Sequence, residues 1–70
     1  MGRTDERWRE LKAALFDCGR EYIEEFIGYE YPAYEDPGVT EARMDITFEE
    51  DMDDETFDDF YRRFVVEQCP

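Results

Sequence analysis

The sequence predicts an α+β fold: a single domain over residues 1–70, ordered helix, strand, strand, helix, with a β-hairpin covered on one face by two helices. Three observations carry that prediction. Residues 4–27 and 53–67 repeat their apolar side chains at helical spacing. Between them, Asp36-Pro37-Gly38-Val39 reads as a type II turn. The segments flanking that turn alternate apolar and polar residues with period two.

The first helix is expected over about 4–27. Thr4 suits the N-cap, and Asp5 and Glu6 sit where the helix dipole favours acids. Trp8, Leu11, Leu15, Cys18, Tyr22 and Phe26 form one apolar stripe, widened by Phe16, Ile23 and Ile27. Gly19 interrupts the helix as a kink, a close packing point or a break, and Gly28 suits its C-terminal cap. The hairpin is expected over about 29–49. Its register sets Tyr31 opposite Met44 and Tyr29 opposite Ile46, so all the apolar side chains share one face. Glu30, Arg43, Asp45, Thr47 and Glu49 then point outward, and Pro32 confines the first strand to an edge. The last helix is expected over about 53–67, with Asp53 as its cap. Met52 and Phe57 are placed as a hydrophobic staple, and Phe57, Phe60, Tyr61, Phe64 and Val65 form the buried stripe.

Charge bounds what such a domain does. Twenty-one acids face eight bases, a net charge of −13 over 70 residues. That field repels nucleic acid and anionic membranes and attracts basic proteins. Twelve aromatic residues separate the chain from acidic disordered sequences. No signal peptide or membrane-spanning run is read, so a cytoplasmic location is expected. Cys18 and Cys69 are expected to be free thiols in a reducing compartment, with a terminal disulfide as the alternative.

Little chemistry is legible. Asp51, Asp53 and Glu55 match the first three ligand positions of a calcium loop. Thr56 then stands where that loop needs Gly, and Arg62 where it needs Glu, so no metal site is expected. There is no histidine, no glycine-rich phosphate loop and no pocket to tune a carboxylate. Neither a catalytic residue nor a cofactor is expected, and the chain is read as non-enzymatic. Tyr34, beside the turn, is the best exposed aromatic contact.

The candidate site is therefore the acids themselves: Asp45, Glu49, Glu50, Asp51, Asp53, Asp54, Glu55, Asp58 and Asp59, with no base among them. Solubility of a small domain needs a net charge of only about 2–8. Like charges on neighbouring helical turns cost a few tenths of a kcal/mol per pair. Crowding is expected to raise the pKa values of these acids, so that stability falls as pH rises through the acid range and increases with salt. Asp54 and Asp58, like Glu55 and Asp59, are separated by about 6 Å of helical rise, of the order of the phosphate spacing along a DNA strand.

In size, charge and the run "DITFEEDMDDETFDD" the chain resembles small, acidic, phage-encoded DNA-mimic inhibitors of the anti-CRISPR type, although no family motif is matched. The resemblance implies a stoichiometric inhibitor, monomeric or a small homo-oligomer, acting in the host cytoplasm. It would occupy the basic nucleic-acid-binding site of a defence nuclease complex, a CRISPR effector first among them. Two other readings fit the composition: an acidic protein-interaction module, antitoxin-like or regulatory, and a salt-adapted domain with one lysine, Lys12, against seven arginines. An even spread of acids marks salt adaptation, whereas mimicry concentrates them on one side.

Overall fold

The computed structural model describes residues 3–68 and is helical, with no strand among the described residues. Helix α1 is Asp5–Cys18 and α2 is Arg20–Ile27. Helix α3 is Pro37–Ile46 and runs on into a π-helical turn, Thr47–Asp51. Helix α4 is Asp54–Tyr61 and ends in a second π turn, Arg62–Val66.

The regions read as the first and last helices are helical, but the first, expected as one helix over about 4–27, is divided in two, and the last ends in a π turn. Thr4 caps α1 by accepting the Arg7 N–H at 3.2 Å. Gly19 is a break: its φ of 127° ends α1, and its carbonyl starts α2 by accepting the Tyr22 N–H at 3.1 Å. A side chain is disfavoured at that angle, which is why glycine occupies it. Gly28 closes α2 in the left-handed conformation, its N–H donating to the Glu24 carbonyl at 2.8 Å. Asp53 caps α4, and Phe57, Phe60 and Phe64 face inward from it.

The hairpin is wrong, and with it the α+β class. Residues 29–36 form a connecting segment without strand pairing, and residues 37–51 are helical. Asp36-Pro37-Gly38 is a helix start, not a turn between strands. Asp36 accepts the Gly38 N–H at 2.7 Å, and Pro37 occupies the first helical position, where its missing N–H costs nothing. The alternation of Met44, Ile46 and Phe48 also misleads. Met44 and Phe48, four residues apart, are buried, while Ile46 between them is 54% exposed. Thr40 and Thr47 complete the buried face of α3, so Thr47 points into the core instead of outward. Tyr31 is buried but Tyr29 is half exposed, and Phe16 does not widen the α1 stripe, standing 39% exposed.

One hydrophobic cluster joins all the helices, from Trp8, Leu11 and Leu15 through Ile23, Phe26 and Met44 to Phe57, Phe60 and Phe64. Aromatic rings carry much of it. Phe48 lies parallel to Trp8 at 4.7 Å and edge-on to Phe57 at 5.4 Å; Trp8 also stacks on Phe26 at 5.3 Å. Such pairs add about 0.5–1.5 kcal/mol each beyond their burial. Cys18, packed against this cluster, is disulfide-bonded and so is not the free thiol expected. Cys69 lies outside the described residues.

Candidate functional site

The bases determine which acids stay uncompensated. All eight lie among the described residues, and six of them, Arg3, Arg7, Lys12, Arg20, Arg43 and Arg63, sit within 6 Å of an aromatic ring centroid. Their stems cover the rim of the aromatic core, and the charges of Arg3, Lys12, Arg20, Arg43 and Arg63 turn to nearby acids. Arg20 pairs with Glu24 at 3.0 Å, donates to the Tyr31 carbonyl and lies over the Tyr31 ring. Arg43 meets Glu35 at 2.7 Å and reaches the Tyr29 hydroxyl. Arg63 meets Glu25 at 2.8 Å. The Arg43 hydrogen bond, reinforced by the Thr40 hydroxyl against the effect of burial, holds the Glu35 carboxyl below the usual carboxylate range.

The nine candidate acids divide into two groups. Asp45, expected on a strand, lies on the α3 flank that faces α1. It accepts the Trp8 indole N–H at 2.9 Å and the Lys12 ammonium at 3.0 Å. Lys12 also meets Glu41 at 2.9 Å, bridging α1 to two acids of α3. Partial burial works to lower the Lys12 pKa, but its bonds to Glu41 and Asp45 outweigh this and the net displacement is upward. Asp45 is thus a neutralised structural contact and drops out of the outward row.

Of the remaining eight, six surround the corner where α3 ends and α4 begins, and Asp58 and Asp59 lie further along α4. Glu49, Glu50 and Asp51 are the exposed part of the π turn, and Asp53, Asp54 and Glu55 open α4. Arg3 is the base that enters this corner. Its guanidinium donates to the Phe48 carbonyl at 3.0 Å and the Met52 carbonyl at 2.5 Å, and pairs with Asp54 at 3.3 Å. A cation is favoured at a helix C-terminus, so Arg3 both fixes the corner and cancels Asp54. At the far end Asp59 pairs with Arg62 at 3.3 Å, and Asp58 also has an interaction partner. Among the described residues, Glu49, Glu50, Asp51 and Glu55 have no basic partner.

Asp53 accepts the Thr56 backbone N–H at 2.7 Å, and this bond, with the Thr56 hydroxyl, holds its carboxyl below the usual range. The displacement at Asp53 is thus opposite to the upward one expected from crowding: the bonds from Thr56 outweigh the effect of burial. An open depression of about 670 Å³ beside α4 is lined by Asp53, Glu55, Thr56, Asp58, Asp59 and Arg62. Among the described residues no group of three or more acids or cysteines is arranged to hold a metal ion. No described helix is long and apolar enough to cross a membrane. Tyr34 is 91% exposed.

Sequence reasoning recognised the acids but missed Arg3, whose place depends on contacts about fifty residues away, and missed the tie from Trp8 and Lys12 to Asp45. The signal for the second was present in Lys12 as the chain's one lysine, in a chain whose charge demands that each base be used.

Set against protein-family models, curated proteins and solved structures, the chain matches none. The likeness to anti-CRISPR inhibitors therefore stands on size and charge, and neither a phage origin nor an inhibitory role gains support beyond them.

Proposed function

We propose that the protein is a non-enzymatic binding module whose α3–α4 corner docks on the basic, nucleic-acid-binding surface of a partner protein in the manner of DNA. A nuclease complex, with a CRISPR effector as the type the sequence resemblance implies, is the target class, and blocking its access to nucleic acid is the consequence. The observation that carries the reading is the uncompensated set of exposed residues Glu49, Glu50, Asp51 and Glu55, in a molecule that binds four of its eight bases to acids elsewhere. A basic groove that accepts phosphates would accept these carboxylates, with steep loss of affinity as salt rises.

The salt-adaptation reading retains one supporting observation. Exposed acids also occur on the other helices, Asp17 and Glu21 among them. The discriminating experiment immobilises the protein and captures partners at low salt. Release of a nucleic-acid-binding complex by added duplex DNA supports mimicry. Capture that duplex DNA leaves untouched refutes it.

A further inference from the structure

The α3 helix has a second face. Its core side is Thr40, Met44, Thr47 and Phe48, all buried. On the opposite side Val39, Ala42 and Ile46 recur at i, i+3 and i+7 and are exposed, Val39 at 49% and Ile46 at 54%. Tyr29, also 49% exposed, is held against α3 because Arg43 donates to its hydroxyl at 3.3 Å and covers its ring. Three of the six large apolar side chains that stand exposed among the described residues therefore gather along one helix. This stripe runs directly into Glu49 and Glu50, acids without a basic partner among the described residues.

We propose that this outward face of α3 docks a basic amphipathic helix of a partner protein, whose apolar residues cover Val39, Ala42 and Ile46 while its lysines or arginines meet Glu49 and Glu50. The inference rests on the anionic docking reading above and adds an apolar half to that interface. Charge complementarity selects this occupant. A second copy of the chain would bring a net charge of −13 against another, and nucleic acid is repelled for the same reason. An amphipathic helix laid in register offers anchors at i, i+3 and i+7, the spacing that α3 itself presents.

Three probes test it by fluorescence anisotropy and amide chemical-shift mapping: a Leu/Lys peptide of about five turns with leucines at helical spacing, a scrambled peptide of the same composition, and oligolysine of equal charge. At about 0.1 M salt all three bind. At about 1 M salt, where the Debye length contracts from about 10 to about 3 Å, only the amphipathic peptide stays bound, and its shifts centre on residues 39, 42 and 46. The double variant V39S/I46S, which alters only exposed side chains, weakens that binding by about tenfold or more. The proposal is overturned if the scrambled peptide binds equally at high salt, if V39S/I46S leaves the affinity within about twofold, or if sedimentation shows that α3 pairs with a second copy. When those outcomes accompany low-salt binding that E49Q/E50Q/D51N abolishes, this inference fails and the anionic reading stands. When no probe binds at low salt, both fail.

Discussion

Asp45 and Glu49 are four residues apart on one helix, yet their charges do different work. Asp45 faces α1, where an indole N–H and an ammonium occupy its oxygens and tie two helices together. Glu49 opens the π turn's exposed acids and meets no base among the described residues. The difference shows that net charge does not locate a site. An acid on the face that meets another helix is absorbed into the fold, and an acid at a corner with one arginine to share remains available to a partner. Arg3 marks the boundary, since it spends its charge on two carbonyls and on Asp54.

The largest effect should come from the residue that joins the two regions. Phe48 touches Trp8 on the neutralised side and Phe57 and Arg3 on the corner side. Phe48→Ala is expected to cost about 3–5 kcal/mol, a large part of a small domain's stability, and thermal melting should show a broad, early transition. A near-normal melt would mean that the two regions are not coupled through this ring.

Asp45→Ala ranks next. It strands the Trp8 indole and removes one of two acids from Lys12, at about 1–2 kcal/mol once partial exposure is allowed for. Asp45→Asn, which keeps an acceptor for the indole, should recover part of that loss in denaturant titration. Equal losses for Ala and Asn would make Lys12 the dominant partner.

Asp53 separates capping from charge. Its carboxyl sits below the usual range because the Thr56 N–H binds it. The folded form therefore holds that proton less readily than the unfolded chain. The stabilisation is present in full above the unfolded pKa and is lost as pH falls through the lowered folded value. Asp53→Ala should lower Tm by a few degrees at neutral pH and flatten the acid limb of the stability curve. Asp53→Asn should flatten the acid limb while keeping most of the neutral Tm, because Asn also caps. An unchanged acid limb in both variants would contradict the assignment.

The smallest effect belongs to the corner. Glu49→Gln with Glu50→Gln removes like-charge repulsion without removing a contact, so stability should stay within about 0.5 kcal/mol and rise if it moves. The salt dependence of Tm should shrink. A clear loss of stability would place these acids in the fold with Asp45.

What was legible follows from how local each signal is. Thr4, Gly19, Gly28 and Asp53 act on backbone within four residues, and the Phe57, Phe60 and Phe64 stripe is wholly apolar. Those elements could be read directly, except that the sequence left open whether Gly19 kinks or breaks the first helix. Helix α3 could not, because two of the four buried residues of α3 and its π turn are threonines, which an apolar pattern overlooks. Its exposed Ile46 meanwhile mimics strand alternation. Asp-Pro-Gly also serves equally as a turn and as a cap followed by a first-turn proline. At the site, the acids were visible as a run, but which of them remain anionic depends on where Arg3, Lys12 and Arg62 end up, and sequence spacing does not carry that.

The central claim is that binding depends on where the negative charge stands, not on its total. Two variants of equal net charge test it most directly: E49Q/E50Q/D51N/E55Q at the corner, and D17N/E21Q/E30Q/E67Q on the other exposed surfaces. Both are compared with the parent for low-salt capture of a nucleic-acid-binding complex that duplex DNA displaces. The corner variant is expected to lose capture and the dispersed variant to keep it; equal loss in both would refute the localised site and leave a uniformly acidic, salt-adapted surface.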